Sequence, residues 1–283
     1  MARRWWVWAL AAFLLAEAAL SCSAAEEMQG SLQIKGSDTM VNLCQAWAEA
    51  FMERHPKVTV AVTGGGSGTG IAALIGGTCD FTSASRKMTE KEMAAAAAQG
   101  HAPQEWTVAL DGLAVAVHPD NPVKRLTLPQ LADLFTGKIR NWRELGGADK
   151  AIVLLSREVN SGTHVYFKEH VLGGHQEFAP EALLLSSSQA IADEVATNSA
   201  AVGYYGMGYA NPKNAIVAVA KTAADSYVVP TEDTVKSGAY PISRPLFLYS
   251  RGEPQGLVKA FLDFVLSPDG QAIVRQVDFV PVK

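Results

Sequence analysis

The chain has little besides a hydrophobic core to hold it together. Only three of its 283 residues are cysteine, which excludes a disulfide-stapled scaffold. It has no Cys-x-x-Cys and no His/Cys cluster, so nothing has the spacing of a metal site. His170 and His175 fall out of helical phase, and His55, His101 and His118 sit near expected turns. All five are expected to be solvated surface groups. No run of Lys/Arg stands out and the formal net charge is −4, so no global field attracts nucleic acid. No repeat period is present, which excludes a solenoid. The glycine run lacks the Gly-Lys-Ser/Thr of a P-loop, and Ser67 is followed by Gly68-Thr69 where a nucleophile elbow needs Gly-x-Ser-x-Gly. Past the N-terminus, no apolar stretch is long enough to span a bilayer.

The N-terminus itself is informative. Arg3 and Arg4 precede the apolar stretch Trp5–Leu20, which is followed by small residues. Residues 1–21 therefore have the pattern of a secretory signal peptide and are left out of the fold. Glu17 interrupts the apolar run, which argues against a permanent span. Ala19-Leu20-Ser21-Cys22 resembles a bacterial lipobox, with Leu one place late. The expectation is lipidation at Cys22 and attachment to the outer face of a bacterial membrane or in the periplasm. The alternative is cleavage after Ala24 or Ala25. With Cys22 set aside, Cys44 and Cys79 remain. They form either a disulfide or two buried thiols, and the thiols are favoured.

What the sequence does have is three segments with the composition of oxyanion loops. They are Gly36-Ser37-Asp38-Thr39, Gly64-Gly65-Gly66-Ser67-Gly68-Thr69-Gly70, and Arg157 followed by Ser161-Gly162-Thr163. Each offers hydroxyls and backbone N–H groups just before an apolar run of helical spacing. A helix N-terminus carries unpaired donors and the positive end of the dipole, so it attracts anions. Three such loops, one with an arginine, point to donors converging on a small tetrahedral anion.

The rest of the chain alternates strands and helices. Strands are expected at 31–35, 57–63, 79–85, 107–118, 151–156 and 201–205. Helices are expected at 40–54, 71–75, 127–135, 162–171 and 188–197, and as a broken pair over 254–274. Thr89 and Glu92 form a capping box for an alanine-rich helix ending at Gly100. Such alternation implies an α/β fold whose sheets are mostly parallel and flanked by helices. The segments 107–118 and 242–250 are expected to cross between two lobes. Lobe I would then hold 31–113 plus 245–283, and lobe II 114–244, with the ligand in the cleft at strand C-termini.

Several of these elements together resemble the periplasmic phosphate-binding proteins of phosphate ABC transporters. The resemblance is carried by Gly36-Ser37-Asp38-Thr39, Thr63 to Gly70, Ala84-Ser85-Arg86, Ala109-Leu110-Asp111-Gly112-Leu113, Leu134-Phe135-Thr136-Gly137-Lys138, Asn141-Trp142 and Ser156-Arg157-x-x-Asn160-Ser161-Gly162-Thr163. It implies a two-lobed type II periplasmic-binding-protein fold that closes on one inorganic phosphate. It also implies a monomer that delivers phosphate to a membrane permease, without chemistry, cofactor, metal or nucleic acid. The implied ligand contacts are Ser37, Asp38, Thr39, Ser67, Arg157, Ser161, Gly162 and Thr163. Taken singly, Ser37, Thr39 and Ser161 could be plain helix caps, and Arg157 a surface ion pair.

The sequence departs from the resemblance at one place. Where the best-known branch has an aspartate that accepts the phosphate proton, this chain has Ser85-Arg86. Asp38 and Asp111 are the candidate replacements, because both fall at expected cleft positions. Arg86 is expected either to bind the anion or to pair with Asp111. An acceptor-only carboxylate favours a protonated phosphate over bare sulfate, since two anions in contact cost several kcal/mol. Three alternatives remain at this point: a binder of another oxyanion such as sulfate or molybdate, a phosphate-sensing variant, and an enzyme. The last rests on Gly68-Thr69-Gly70-Ile71-Ala72-Ala73, a weak dinucleotide pattern. Export from the cytosol argues against it.

Overall fold

Alternating apolar residues set the first strand: in β1 (Gly30–Gly36), Leu32 and Ile34 are buried. The chain is seen here as a computed structural model that describes residues 28–283. The signal segment and Cys22 lie outside the described residues. After β1 a short 3₁₀ turn (Asp38–Met40) leads into α1 (Val41–Arg54), which buries Leu43, Cys44, Trp47, Ala48 and Phe51 on one stripe. Then follow β2 (Val58–Thr63), α2 (Ser67–Ile75), β3 (Phe81–Ala84) and α3 (Glu90–Ala98). The Thr89/Glu92 capping box is present at the start of α3.

The long β4 (Gln104–Val117) precedes β5 (Arg125–Thr127), α4 (Leu128–Phe135) and a 3₁₀ turn (Trp142–Leu145). Next come β6 (Val153–Arg157), α5 (Gly162–His170), β7 (Leu183–Leu185), α6 (Ser188–Thr197) and β8 (Ala201–Gly206). The chain then forms β9 (Ala215–Ile216), β10 (Ala218–Ala220), α7 (Glu232–Lys236) and β11 (Ser243–Ser250). It ends with α8 (Gly256–Val265) and α9 (Pro268–Gln276), broken at Ser267 as the sequence indicates.

The main sheet has the order β2-β1-β3-β11-β4-β8-β6-β7, with β9 also on β4. Pairings of β1 with β2 and β3, and of β6 with β7 and β8, are parallel. The centre differs from the mostly parallel expectation. β11 runs antiparallel to both β3 and β4, and β4 runs antiparallel to β8. The two segments expected to cross between lobes are these two strands. β4 pairs with β11 over its first part and with β8 from Leu113 onward, so one strand runs through both halves of the sheet.

Two large apolar clusters flank the centre. One packs α1, α8 and α9 on β1–β3, through Trp47, Phe51, Phe81, Phe261 and Val274. The other packs α4 and α5 on β6 and β8, where the Phe167 ring stacks on Tyr204 at 3.9 Å and meets Phe135 at 4.8 Å. Aromatic pairs of this kind add about 0.5–1.5 kcal/mol each beyond area burial. Cys44 and Cys79 are buried free thiols in different apolar clusters. Burial pushes the Cys44 thiol up to about 12, against a hydrogen bond from Ser83. Among the described residues no helix is long and apolar enough to cross a membrane.

Candidate oxyanion site

The sheet order sets the ends of β1, β2 and β3 side by side, and the loop after β6, in the other half of the sheet, meets them through Thr163. The loop after β1 carries Ser37, Asp38 and Thr39, and the glycine loop after β2 opens α2 at Ser67. The end of β3 presents Ser85, and the loop after β6 opens α5 at Gly162 and Thr163. The result is a buried chain of five hydroxyls. Ser37 Oγ donates to Ser85 Oγ at 3.0 Å, and Ser85 Oγ lies 3.3 Å from Ser67 Oγ and 3.5 Å from Thr163 Oγ1. Thr163 Oγ1 in turn is 2.7 Å from Thr39 Oγ1. A hydroxyl carries one rotatable donor and two lone pairs. Four such groups at the starts of three helical segments, with Ser85 at the end of β3, form a set of neutral donors that can turn toward an oxyanion.

Two ion pairs brace this cluster. Arg157, at the end of β6, is only 1% exposed and donates from Nη2 to Asp38 Oδ2 at 2.9 Å. Its other bonds go to the Leu185 and Ser186 carbonyls and to Ser188 Oγ. Burial pushes its pKa below the usual arginine value, and Asp38 opposes that shift. Asp38 Oδ1 also accepts from the Gly65 N–H at 2.9 Å. In the second pair, Asp111 on β4 and Arg244 on β11 face each other in register. Arg244 Nε and Nη2 reach Asp111 Oδ2 at 3.0 and 2.8 Å, and Nη2 also donates to Thr163 Oγ1 at 3.0 Å. Two guanidiniums and two carboxylates leave the site formally neutral.

Close approach dictates the glycine at 162. A methyl group there would collide with Ser67 Oγ and stand 2.7 Å from Ser85 Oγ. Gly206 is constrained in the same way: a methyl group there would meet Thr39 Cγ2 at 2.7 Å and both Asp111 oxygens at 3.1 Å. Thr39 and Asp111 are therefore neighbours. Asn160 joins the loops further out, with its carbonyl accepting from Gly68 N at 2.9 Å and its Nδ2 donating to Gly65 O at 2.9 Å.

Of the ten sequence-named residues, Ser37, Thr39, Ser67 and Thr163 lie in the cluster. Asp38, Arg157 and Asp111 brace it, and Gly162 shapes it. Ser161 caps α5, accepting from Thr163 N at 3.2 Å. Ser37, by contrast, makes no side-chain cap, because its hydroxyl goes to Ser85. Arg157 is not a surface pair but a buried one.

Arg86 does not pair with Asp111. It forks onto Glu92 at 2.7 and 2.8 Å. The cause is local: the capping box already turns Glu92 back toward Thr89 N, six residues from Arg86, and Asp111 is taken by Arg244. Burial raises the Glu92 pKa, but Arg86 and the Thr89 backbone outweigh it and hold the carboxyl below its ordinary value.

Two site residues had gone unassigned in the sequence. Ser85 stood there only as the place of a missing aspartate. Arg244 left a signal in hindsight, as a charge inside an apolar strand opposite another such charge, Asp111. His164, next to Thr163, was also passed over. It is buried, its Nδ1 lies 3.3 Å from Ser156 Oγ, and burial pushes its pKa down. Of the five histidines expected on the surface, His170 and His175 are exposed, while His55, His101 and His118 are half-buried.

Comparison with known proteins identifies the family. The profile described as "PBP superfamily domain" matches residues 23–269. The phosphate-binding protein PstS of Bacillus subtilis is 36% identical over 93% of this chain and 84% of its own length. PstS of Pseudomonas aeruginosa is 34% identical over 91% of this chain and 85% of its own. Among solved structures, a Clostridium perfringens chain assigned as a phosphate ABC transporter substrate-binding protein, with bound phosphate, is 34% identical. It superposes with a TM-score of 0.81, covering 90% of this chain and all of that one. An ABC-type phosphate transport receptor from Vibrio cholerae has a TM-score of 0.71 at 30% identity, covering 88% of this chain and 99% of the other. The chain belongs to the PBP superfamily and, within it, to the family of the PstS phosphate-binding proteins.

Proposed function

We propose that this protein captures inorganic phosphate at the hydroxyl cluster, outside the cytoplasm, and delivers it to the membrane permease of a phosphate ABC transporter. The observation that carries the proposal is the convergence of Ser37, Thr39, Ser67, Ser85 and Thr163 from four strand ends. The relatives' names supply the anion. Ser161 and Gly162 complete the loop at the start of α5, and Arg86 stands at the edge of the site. The role is binding rather than catalysis, a reading supported by relatives named as phosphate-binding proteins. Support for a location outside the cytoplasm comes from the signal-like residues 1–21, and for lipid attachment from Cys22. A monomer with lobes at 31–113 plus 245–283 and at 114–244 suits closure on a ligand between strand ends.

Selectivity over sulfate requires an acceptor for the phosphate proton. Asp111 is the better placed of the two candidates, because it is fully buried and adjoins Thr39, whereas the side chain of Asp38 is 15% exposed. A carboxylate has about four lone-pair positions, and Oδ1 of Asp111 takes one bond, from Met207 N at 3.0 Å. Calorimetric titration of the phosphate-free mature protein with phosphate, sulfate and molybdate tests the proposal. Saturable one-to-one binding of phosphate is expected. Preference for sulfate or molybdate would replace it with a different oxyanion.

A further inference from the structure

The glycine loop after β2 meets the loop after β6 at a second place, outside the hydroxyl cluster. Its helix, α2, starts at Gly66 with no side-chain cap. A first-turn donor of that helix is satisfied from the other half of the sheet, where Gly68 N–H donates to the Asn160 carbonyl at 2.9 Å. The Asn160 side chain returns the contact: Nδ2 donates to Gly65 O at 2.9 Å and to Thr69 Oγ1 at 3.2 Å. Asn160, Gly65 and Thr69 are all exposed, so the side-chain bonds lie at the surface, and none of them involves the five hydroxyls. The glycines make room for this approach. A methyl group would stand 2.8 Å from Asn160 O if placed on Gly66, whose φ is +93°, and 3.1 Å from it if placed on Gly68.

We infer that Asn160 is a clasp across the cleft, which sets how long the two lobes stay shut on a bound anion without touching the anion itself. This rests on the phosphate proposal and its lobe division, and deepens it: residues 65–69 fall in the first lobe and Asn160 in the second. The three bonds exist only where the lobes meet. In an open form the Gly68 N–H, the Gly65 carbonyl and the Asn160 amide return to water, so the clasp stabilises the closed form alone. The anion leaves from the open form. A clasp that favours closure therefore slows release. It leaves capture unchanged, because capture by the open form comes before the clasp is made. Exchanging protein–water for protein–protein hydrogen bonds at an exposed place gives a small net gain per bond. That size suits a carrier that has to give up its cargo, since it lengthens the closed state without locking it.

The informative variants of the mature protein are Asn160→Ala, Asn160→Asp and Thr69→Val. Asn160→Ala removes both side-chain bonds and keeps the backbone bond to Gly68. Asn160→Asp keeps the size but turns an acceptor toward the Gly65 carbonyl. Thr69→Val removes one bond from the opposite side. Release of radiolabelled inorganic phosphate is timed by chase with unlabelled phosphate, and affinity is measured by calorimetry. Together they give the association rate, and the unfolding midpoint is taken without phosphate. Release should be about five- to tenfold faster in Asn160→Ala, at least as fast in Asn160→Asp, and about two- to threefold faster in Thr69→Val. Adding Thr69→Val to Asn160→Ala should change nothing further, since the Thr69 bond is already gone. Association rates and midpoints should stay near the wild type's. Unchanged release in both Asn160 variants, or an affinity loss that arises from slower association, would overturn the inference. Should an Asn160 variant fail to fold, the rates of Thr69→Val decide. Wild-type protein that binds no phosphate sinks the underlying proposal instead, so the two failures are distinguishable.

Discussion

Asp38 Oδ2 and Arg157 Nη2 lie 2.9 Å apart, across 119 residues of sequence. The pair ties the loop after β1 to the end of β6, which are the two elements that supply Thr39 and Thr163. Removing the arginine leaves the carboxylate without its cation and takes a donor from three further acceptors, the Leu185 and Ser186 carbonyls and Ser188 Oγ. Arg157→Ala should therefore lower the unfolding free energy by about 3 kcal/mol, and weaken phosphate binding by roughly one to two orders of magnitude. Urea denaturation and calorimetry check the two effects. A variant of unchanged stability would show the pair to be incidental.

Gly162→Ala places a methyl group against Ser67 Oγ and Ser85 Oγ. The hydroxyls must move for it to fit. Overpacking of this kind costs about 1–3 kcal/mol. The fold should survive, and phosphate affinity should fall by about a hundredfold or more, since the displaced groups are the proposed donors. A folded Gly162→Ala variant with wild-type affinity would place the anion elsewhere.

The proton acceptor is open to a direct comparison. Asp111→Asn and Asp38→Asn each replace an acceptor-only group with one that also donates. The variant at the true contact should lose phosphate affinity and gain sulfate affinity, while the other should leave their ratio unchanged. Asp111→Asn is expected to be the one that shifts it. If neither does, hydroxyl and backbone donors recognise tetrahedral shape and charge alone.

How much of this was legible beforehand depended on the kind of signal. The apolar stripe of α1 and the Thr89/Glu92 box are local, and both could be placed from sequence. The strands β5, β7, β9 and β10 have two or three residues each, too few to show a period. The direction of β11 was hidden because an apolar run looks alike in parallel and antiparallel pairing. The Asp111–Arg244 contact depends on the register between two strands 133 residues apart. Arg86 misled because its partner, Glu92, lay in a capping box whose purpose already looked complete.

Acidification should loosen the site's support. Burial holds the His164 pKa below the ordinary value, so the unfolded chain takes up the proton more readily than the folded one. The stability that neutral His164 contributes is full above the ordinary histidine value of about 6.5 and falls as pH drops from there through the folded value. Urea unfolding from pH 7.5 to 5 should show this decline, and His164→Gln should flatten it. Equal slopes in the two proteins would assign the pH dependence to other groups.

Lipid attachment is tested at Cys22. Expression with the native signal in a bacterial host should yield membrane-associated protein. Cys22→Ser should yield either precursor or protein cleaved elsewhere. Intact-mass spectrometry of a soluble wild type whose N-terminus lies beyond Cys22 would exclude the anchor. The same spectra should show Cys44 and Cys79 unlinked, each taking one alkylating group after unfolding without a reductant.

The central claim is that the hydroxyls of Ser37, Thr39, Ser67, Ser85 and Thr163 close on one phosphate. Isothermal titration of the phosphate-free mature protein tests it most directly. The account predicts a single site for inorganic phosphate at one-to-one stoichiometry, with sulfate bound far more weakly under the same conditions. No saturable heat from phosphate, beside clear binding of a different anion, would contradict it.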